Sequence, residues 1–278
     1  TGVPRGSLYN HRSSMDDAKN LVIEMGLQPG EKHIQVNPLF HIGGLHHFRA
    51  FLFIAGCNVI MPQRSFDAAA TLQTIQDEKA TDISIVPTHL VAMLAVPDLK
   101  KYDLSSLKRM WYAASPMPVE VLKKGLETWG PIFAQGYGQT ETGPEVSDLP
   151  RKDHMVMDAP PEKQKVLASA GLPSIGVHVR IVDEKHNDVA PGELGEIIVQ
   201  SKHLMTEYWR KPKETREALI DGWIYTGDVG YYDEKGYIFI VDRRKDMIIS
   251  GGENIYPREI EEVLYRHPAV SEVAVIGI

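Results

Sequence analysis

PIFAQGYGQTETG (Pro131–Gly143) joins a short apolar run to a cluster of glycine, tyrosine, threonine and glutamate. A five-residue apolar run that meets two glycines reads as a buried strand running out into a loop. Upstream the same texture recurs. HIQV (His33–Val36), CNVI (Cys57–Ile60), ISIV (Ile83–Val86) and KRMWYA (Lys108–Ala113) are further short, β-rich runs read as buried strands. Helical patterns separate them. FDAAATLQTIQDEK places Asp67 as an N-cap and spaces Leu72, Ile75 and Lys79 for a helix. MPVEVLKKGLETWG sets Pro118 near the first helical position, a stripe of Leu122, Leu126 and Trp129, and Gly130 as terminator. Strands alternating with helices imply a layered α/β fold with a mostly parallel sheet.

The texture changes near Ala170. GVHVRIVDEKHNDVAPGELGEIIVQS (Gly176–Ser201) alternates apolar and polar residues between turn signals, and GYYDEKGYIFIVDR (Gly230–Arg243) reads as a hairpin looping at Asp233–Gly236. This region is expected to be antiparallel β. Next come a strand at Met247–Ser250, a Gly251–Gly252 turn, a helix opened by Pro257 with Ile260, Val263 and Leu264 on one face, and a strand at Val270–Ile276. Such a unit of roughly 35 residues is too small to be stable alone. The expected organisation is therefore a large region over 1–242, α/β to 170 and β-rich over 171–242. Residues 243–278 would be a hinge and the start of a small α+β lobe, with both ends of the chain truncated. MDAPPEKQK (Met157–Lys165) is expected to be a mobile surface loop.

With 43% hydrophobic and 24% charged residues, the composition is that of a globular chain. A formal net charge of −7 argues against nucleic acid as the main partner, because phosphate neutralisation needs clustered surplus Lys and Arg. Cys57 is the only cysteine, so no internal disulfide can form, and a reducing cytoplasm fits. Its apolar setting predicts a buried thiol. The run AFLFIAGCNVIMP (Ala50–Pro62) is too short to span a bilayer, which leaves membrane association peripheral at most.

Four stretches can carry chemistry. TGVPRGS (Thr1–Ser7) is a glycine-bearing polar loop that could wrap phosphate or form a surface turn; it fails the P-loop NTPase pattern. GYGQTETG (Gly136–Gly143) follows a strand at the sheet's carboxyl end, where α/β folds bind ligands. Its glycines would let backbone approach a ligand and leave Tyr137 free to stack on a base. Thr140 offers a hydroxyl to phosphate and Glu141 hard oxygen to Mg²⁺; a turn capped by Thr140 is the plain alternative. In YTGDVG (Tyr225–Gly230), Asp228 either accepts from a ribose diol or makes an Asx-turn. PLFHIGGLHHF raises a metal site at His41, His46 and His47, but the spacing is poor and no acidic residue is near, so His41 is read as lining a pocket.

These pieces, in this order from Thr1 to Ile278, resemble the adenylate-forming superfamily of acyl- and aryl-CoA synthetases, luciferases and peptide-synthetase adenylation domains. TGVPRGS resembles the second half of its phosphate loop, implying nucleotide contacts from Thr1, Gly2, Arg5 and Gly6, with arginine where lysine is usual. PLFHIGGL resembles its acyl-pocket motif, implying a catalytic or pocket role for His41. YAASPMP resembles the segment along adenine, implying Ala113, Ala114, Ser115 and Pro116. GYGQTE implies Gly136, Tyr137, Gly138 and Gln139 around the nucleotide, with Thr140 on phosphate and Glu141 on Mg²⁺. Gly136, Gly138 and Gly143 are implied to border the acyl pocket. The remaining motifs imply Asp228 and Arg243 on ribose, Lys245 as pivot, and Ser250, Gly251 and Gly252 near CoA.

The implied substrates are ATP, Mg²⁺, CoA and a carboxylic acid, and the implied reaction runs through acyl-AMP to a thioester. The hinge stretch resembles stand-alone CoA ligases more than carrier-loading domains, and the overall resemblance, closest to fatty-acid CoA ligases, implies a medium- or long-chain fatty acid. An aryl-acid ligase, a carrier-loading adenylation domain, a luciferase relative or a non-catalytic nucleotide-binding module stay open, as does a homodimer. The family's adenylation lysine is expected beyond Ile278. Loss of one such charge-stabilising donor costs ~10²–10³ in rate, so the isolated chain is expected to be a poor enzyme.

Overall fold

A computed structural model describes residues 5–62, 65–244, 247–250, 253–265, 267, 269–270 and 273–277. The chain starts with a two-residue strand β1 (Ser7–Leu8) and helix α1 (His11–Met25), capped by Asn10, whose side chain accepts from the Ser13 amide. A β/α alternation follows: β2 (Lys32–Gln35), α2 (Ile42–Phe53), β3 (Cys57–Ile60), α3 (Ala68–Glu78), β4 (Asp82–Ile85), α4 (Pro87–Leu94), β5 (Arg109–Tyr112), α5 (Val119–Trp129) and β6 (Phe133–Gln139). Then come β7 (Gly143–Leu149), α6 (Pro161–Gln164) and β8 (Leu172–Pro173). These strands form one seven-stranded sheet ordered β3-β2-β4-β5-β6-β7-β8, parallel from β3 to β6 and antiparallel at β7 and β8.

Local chemistry explains the helix ends. Asp67 accepts from the Ala70 amide and starts α3; Lys79, at φ 53°, ends it in the left-handed region. Gly130 at φ 73° ends α5. Leu72, Ile75, Leu122 and Leu126 turn inward with Ile34, Ile83, Ile85, Met110 and Phe133 to form the largest core cluster. Each fully buried Leu or Ile there contributes ~1.5–3 kcal/mol of apolar transfer.

The second sheet is antiparallel. It comprises β9 (His178–Val182), β10 (Gly195–Gln200), β12 (Leu219–Ile220), β13 (Trp223–Tyr232) and β14 (Ile238–Arg243), with β11 (Glu207–Tyr208) and α7 (Pro212–Ala218) between β10 and β12. β11 instead pairs with β1. The chain continues through β15 (Ile248–Ser250) and β16 (Glu253–Ile255), paired antiparallel, into α8 (Pro257–Leu264). The α/β class, the mainly parallel sheet and the antiparallel region after it agree with the sequence pattern.

Several local expectations are corrected. Cys57 is exposed, because β3 is the edge strand and lacks a neighbour on one side. Residues 157–165 include the short helix α6 and enter a 3₁₀ turn at Lys165–Ala168, with Gln164 Nε2 donating back to the Met157 and Ala159 carbonyls. Residues 273–277 form no strand. The apolar face of α8 is open, with Ile260, Val263 and Leu264 exposed. The Gly251–Gly252 turn, Lys245, Thr1 and Gly2 lie outside the described residues.

Candidate functional site

The GYGQTETG stretch does not run out into a loop. β6 continues through Gln139, turns over Thr140–Thr142 and returns as β7, with Gln139 opposite Gly143. Gly143 takes φ 80°, a conformation that glycine adopts without a Cβ penalty. Thr142 Oγ1 accepts from the Gln139 amide at 2.9 Å and closes the turn. YTGDVG likewise lies within β13, whose pairing with β14 is irregular between Val229 and Gly230. Ladder hydrogen bonds thus hold Asp228 within β13 and flank the tight turn that carries Thr140 and Glu141.

Two adjoining cavities flank the β6–β7 hairpin. The larger, about 1410 Å³, is bordered by Arg5, His41, Ala113, Thr140 and Glu141 among others; the smaller, about 670 Å³, by Ser115, Pro116, Gly136, Tyr137 and Asp228. Ala114, Gly138, Gln139 and Arg243 border both. Ala114 has φ 75°, sparsely populated for a residue with a Cβ, so the wall between the cavities holds local backbone strain.

Asp228 anchors the smaller cavity. Its Oδ2 accepts from the Tyr137 hydroxyl at 2.8 Å and from Gln139 Nε2 at 2.7 Å, and Oδ1 lies 3.3 Å from Arg243 Nε. Burial raises its pKa above the ordinary carboxylate value, and these donors offset only part of that rise. A carboxylate offers about four lone-pair positions, so acceptor capacity is left for a ligand's hydroxyls. Tyr137 borders the smaller cavity; its ring packs in a core cluster with Val146 and Ile197, and its hydroxyl donates to Asp228.

The glycines have reasons of their own. A Cβ on Gly136 would lie 1.9 Å from Trp111 Cζ2, so the buried indole excludes a side chain there. Among the described residues, Gly143 and Gly6 border neither cavity; Gly143 backs onto His203, and the Gly6 carbonyl accepts from the Trp209 amide.

At the larger cavity, one tyrosine ties two charged groups together. Tyr208 donates its hydroxyl to Glu141 Oε1, and the Arg5 guanidinium sits 4.7 Å from the Tyr208 ring centroid. The turn is also pinned from beneath. Tyr9 donates to the Thr140 carbonyl and its hydroxyl accepts from the Gly143 amide at 3.0 Å. Neither Tyr9 nor Tyr208 carries a local sequence signal, since their partners lie 131 and 67 residues away. His41 caps α2 by accepting from the Gly43 amide and borders the cavity. His46 and His47 are wholly buried. His46 Nδ1 pairs with Asp17 at 3.0 Å, and among the described residues no cluster of metal-ligating side chains occurs.

The arrangement offers a cation and a carboxylate on one side of the hairpin and a second, buried carboxylate on the other. Glu141 keeps Oε2 free of protein partners among the described residues. That suits Mg²⁺, which is commonly held by one or two carboxylates together with substrate phosphates.

The model of the AMP-binding enzyme family matches residues 1–209. A feruloyl-CoA synthase of Amycolatopsis sp is 38% identical over 278 residues, covering 100% of this chain and 54% of that protein. A medium/long-chain-fatty-acid–CoA ligase of Mycobacterium tuberculosis is 36% identical, over 100% of this chain and 47% of its own length. Among solved structures, o-succinylbenzoate coenzyme A synthetase from Bacillus subtilis, in complex with ATP and magnesium ion, superposes with a TM-score of 0.85 at 30% identity, covering 100% of this chain and 55% of that one. The chain spans about half the length of the curated relatives it matches.

Proposed function

Because this chain belongs to the AMP-binding enzyme family, we propose that it forms part of an AMP-forming acid–thiol ligase that activates a carboxylic acid with ATP and passes it to CoA. One observation carries the reading. A single hairpin borders adjoining cavities, with Arg5, Thr140 and Glu141 at one and the Asp228–Arg243 pair at the other. That spacing of anionic, cationic and diol-accepting groups suits a nucleoside triphosphate.

In the first step a carboxylate oxygen attacks the α-phosphorus of ATP. The bond to the bridging oxygen breaks, pyrophosphate leaves, and acyl-AMP forms. In the second, the CoA sulfur attacks the acyl carbon, loses its proton to solvent, and expels AMP. Mg²⁺ supplies charge neutralisation at the phosphates. The residues act mainly by positioning and by electrostatic stabilisation. Asp228 accepts from the ribose hydroxyls, fixed by Tyr137, Gln139 and Arg243. Arg5 faces developing phosphate charge, and Thr140 donates its hydroxyl to a phosphate oxygen. Glu141, oriented by Tyr208, would hold the metal. Ala113–Pro116 and Gly136–Gly138 border the base, and His41 borders the acid.

Residues 1–242 are taken as part of the large AMP-binding region and 243–278 as a hinge, pivoting at Lys245, with the start of a smaller lobe. In support, β14 ends at Arg243, and beyond it Arg258 of α8 reaches back to the Ile240 carbonyl. Ser250, Gly251 and Gly252 are assigned to the CoA side on the motif alone. A fatty acid was the sequence-based preference. The similar proteins named above act on feruloyl, fatty-acyl and succinylbenzoyl groups.

The test is an assay of the full-length protein with Mg·ATP, CoA and carboxylates from acetate to palmitate and benzoates, separating AMP from ADP. Carboxylate-dependent AMP and acyl-CoA support the ligase. ADP formation overturns it, and ATP binding without any product leaves a nucleotide-binding module.

A further inference from the structure

Strand β13 reaches the two cavities through a break in its pairing. Tyr225 faces Ile198 and Val229 faces Glu196 on β10, so Thr226, Gly227 and Asp228 stand opposite Ile197 alone. A bulge of this kind bends the strand, re-aims a side chain and takes the extra residues out of the ladder. Asp228 is the side chain re-aimed here, towards the Tyr137 hydroxyl and Gln139 Nε2.

Other groups supply the partners that β10 does not. Thr226 Oγ1 donates to the Ile197 carbonyl at 2.7 Å and accepts from the Asp228 amide at 3.0 Å. Gln139 Nε2 donates to the Thr226 carbonyl at 2.9 Å. Gly227, at φ 72°, accepts at its carbonyl from the Arg244 amide at 2.8 Å and donates its own amide to Glu196 Oε1 at 3.1 Å. Glu196 Oε2 lies 3.4 Å from Arg244 Nη1. One carboxylate thus ties the apex of the bulge to the residue that follows Arg243.

The two ties differ in strength. The Arg244 side chain is 62% exposed, so its ion pair contributes little. An amide donating to an ionised acceptor is a stronger bond, and Glu196 is only 18% exposed. Glu196 borders the larger cavity and Asp228 the smaller, so an effect of Glu196 on a group held by Asp228 passes through the intervening peptide.

Resting on the ligase reading above, we infer that Glu196 is a positioning residue for the nucleotide: by holding the Gly227 amide it fixes the bulge that presents Asp228 to the ribose. Displacements of about 1 Å at such a group are enough to cost orders of magnitude in rate.

The experiment measures the Kd for ATP and carboxylate-dependent AMP release in the full-length protein and its variants. Glu196→Ala removes the acceptor and should raise the Kd and the KM for ATP about tenfold or more, with the KM for the acid held within about twofold. Glu196→Gln keeps an oxygen for the Gly227 amide and should stay within about threefold of the unaltered protein. On an Asp228→Asn background, Glu196→Ala should add less than about threefold, because its effect passes through Asp228. Thr226→Val releases the same bulge from its other flank and should show the same loss of ATP affinity, so it serves if the alanine variant folds poorly. Unchanged ATP affinity in the alanine and valine variants, a glutamine variant as weak as the alanine one, or fully additive losses with Asp228→Asn overturns the inference and leaves the ligase standing. Absence of AMP with every acid in the unaltered protein, while ATP still binds, instead overturns the ligase reading on which the inference rests.

Discussion

Gly136→Ala is the substitution with the best-defined geometry. The added Cβ would sit 1.9 Å from Trp111 Cζ2, 2.6 Å from Cε2 and 3.0 Å from Cη2. Carbon atoms rest at ~3.5–4.0 Å, so the indole or the strand must shift by roughly 1.6 Å. Little space exists for that. Trp111 is 2% exposed, and the buried rings of His47 and His46 lie 4.9 and 5.8 Å from it, centroid to centroid. Interiors of this density respond to overpacking with about 1–3 kcal/mol of destabilisation, and three atoms in conflict put this site near the upper end. Urea unfolding should report that loss. Because Gly136 borders the smaller cavity, the KM for ATP should rise as well. The decisive control is the same substitution on a Trp111→Leu background. With the indole gone, Gly136→Ala should cost less than about 1 kcal/mol, giving a coupling energy of at least about 1.5 kcal/mol between the two positions. Equal costs in the two backgrounds, within about 0.5 kcal/mol, would refute the steric argument.

Asp228→Asn keeps the shape but removes the charge that Arg243, Tyr137 and Gln139 surround; the KM for ATP in pyrophosphate exchange should rise about 10–100-fold, and an unchanged value would remove Asp228 from the nucleotide site. Tyr9→Phe leaves the Thr140 carbonyl and the Gly143 amide without their partner, so thermal unfolding should show a loss of about 1–3 kcal/mol and kcat should fall as the turn loosens. A stable variant with normal kcat would show that the turn holds itself. His154 is buried against the Tyr112 hydroxyl at 3.0 Å and the Pro150 carbonyl at 3.1 Å, and burial brings its pKa down to about 4. The unfolded imidazole takes its proton near pH ~6.5, so between these values the unfolded chain binds more protons and stability falls as pH drops, by about 2 kcal/mol at about pH 5. His154→Gln should flatten the melting-temperature profile over that window; an unchanged slope would assign the acid sensitivity elsewhere.

Much of this molecule was legible in one dimension because the signals were local. The runs at β2, β4, β5 and β6 are short stretches set between helical patterns, and Asp67 and Gly130 punctuate the helices through their own backbone and side-chain chemistry. The resemblance of the ordered motifs pointed to Glu141, Asp228 and Arg243, and all three border the two adjoining cavities. Sheet position was not local. CNVI reads like the other strands, yet β3 is the edge, and Cys57 is exposed for lack of a neighbour. The α8 face pattern is amphipathic, but whether it is covered depends on what packs there. Tertiary structure alone decided that GYGQTETG is a hairpin, that Gly136 yields to Trp111, and that Tyr137 is spent on Asp228. It also decided that Tyr9 and Tyr208, far away in sequence, hold the turn and Glu141. The physical reason is range: propensity and capping act over a few residues, whereas close packing and buried hydrogen bonds join whichever groups the fold brings within a few ångströms.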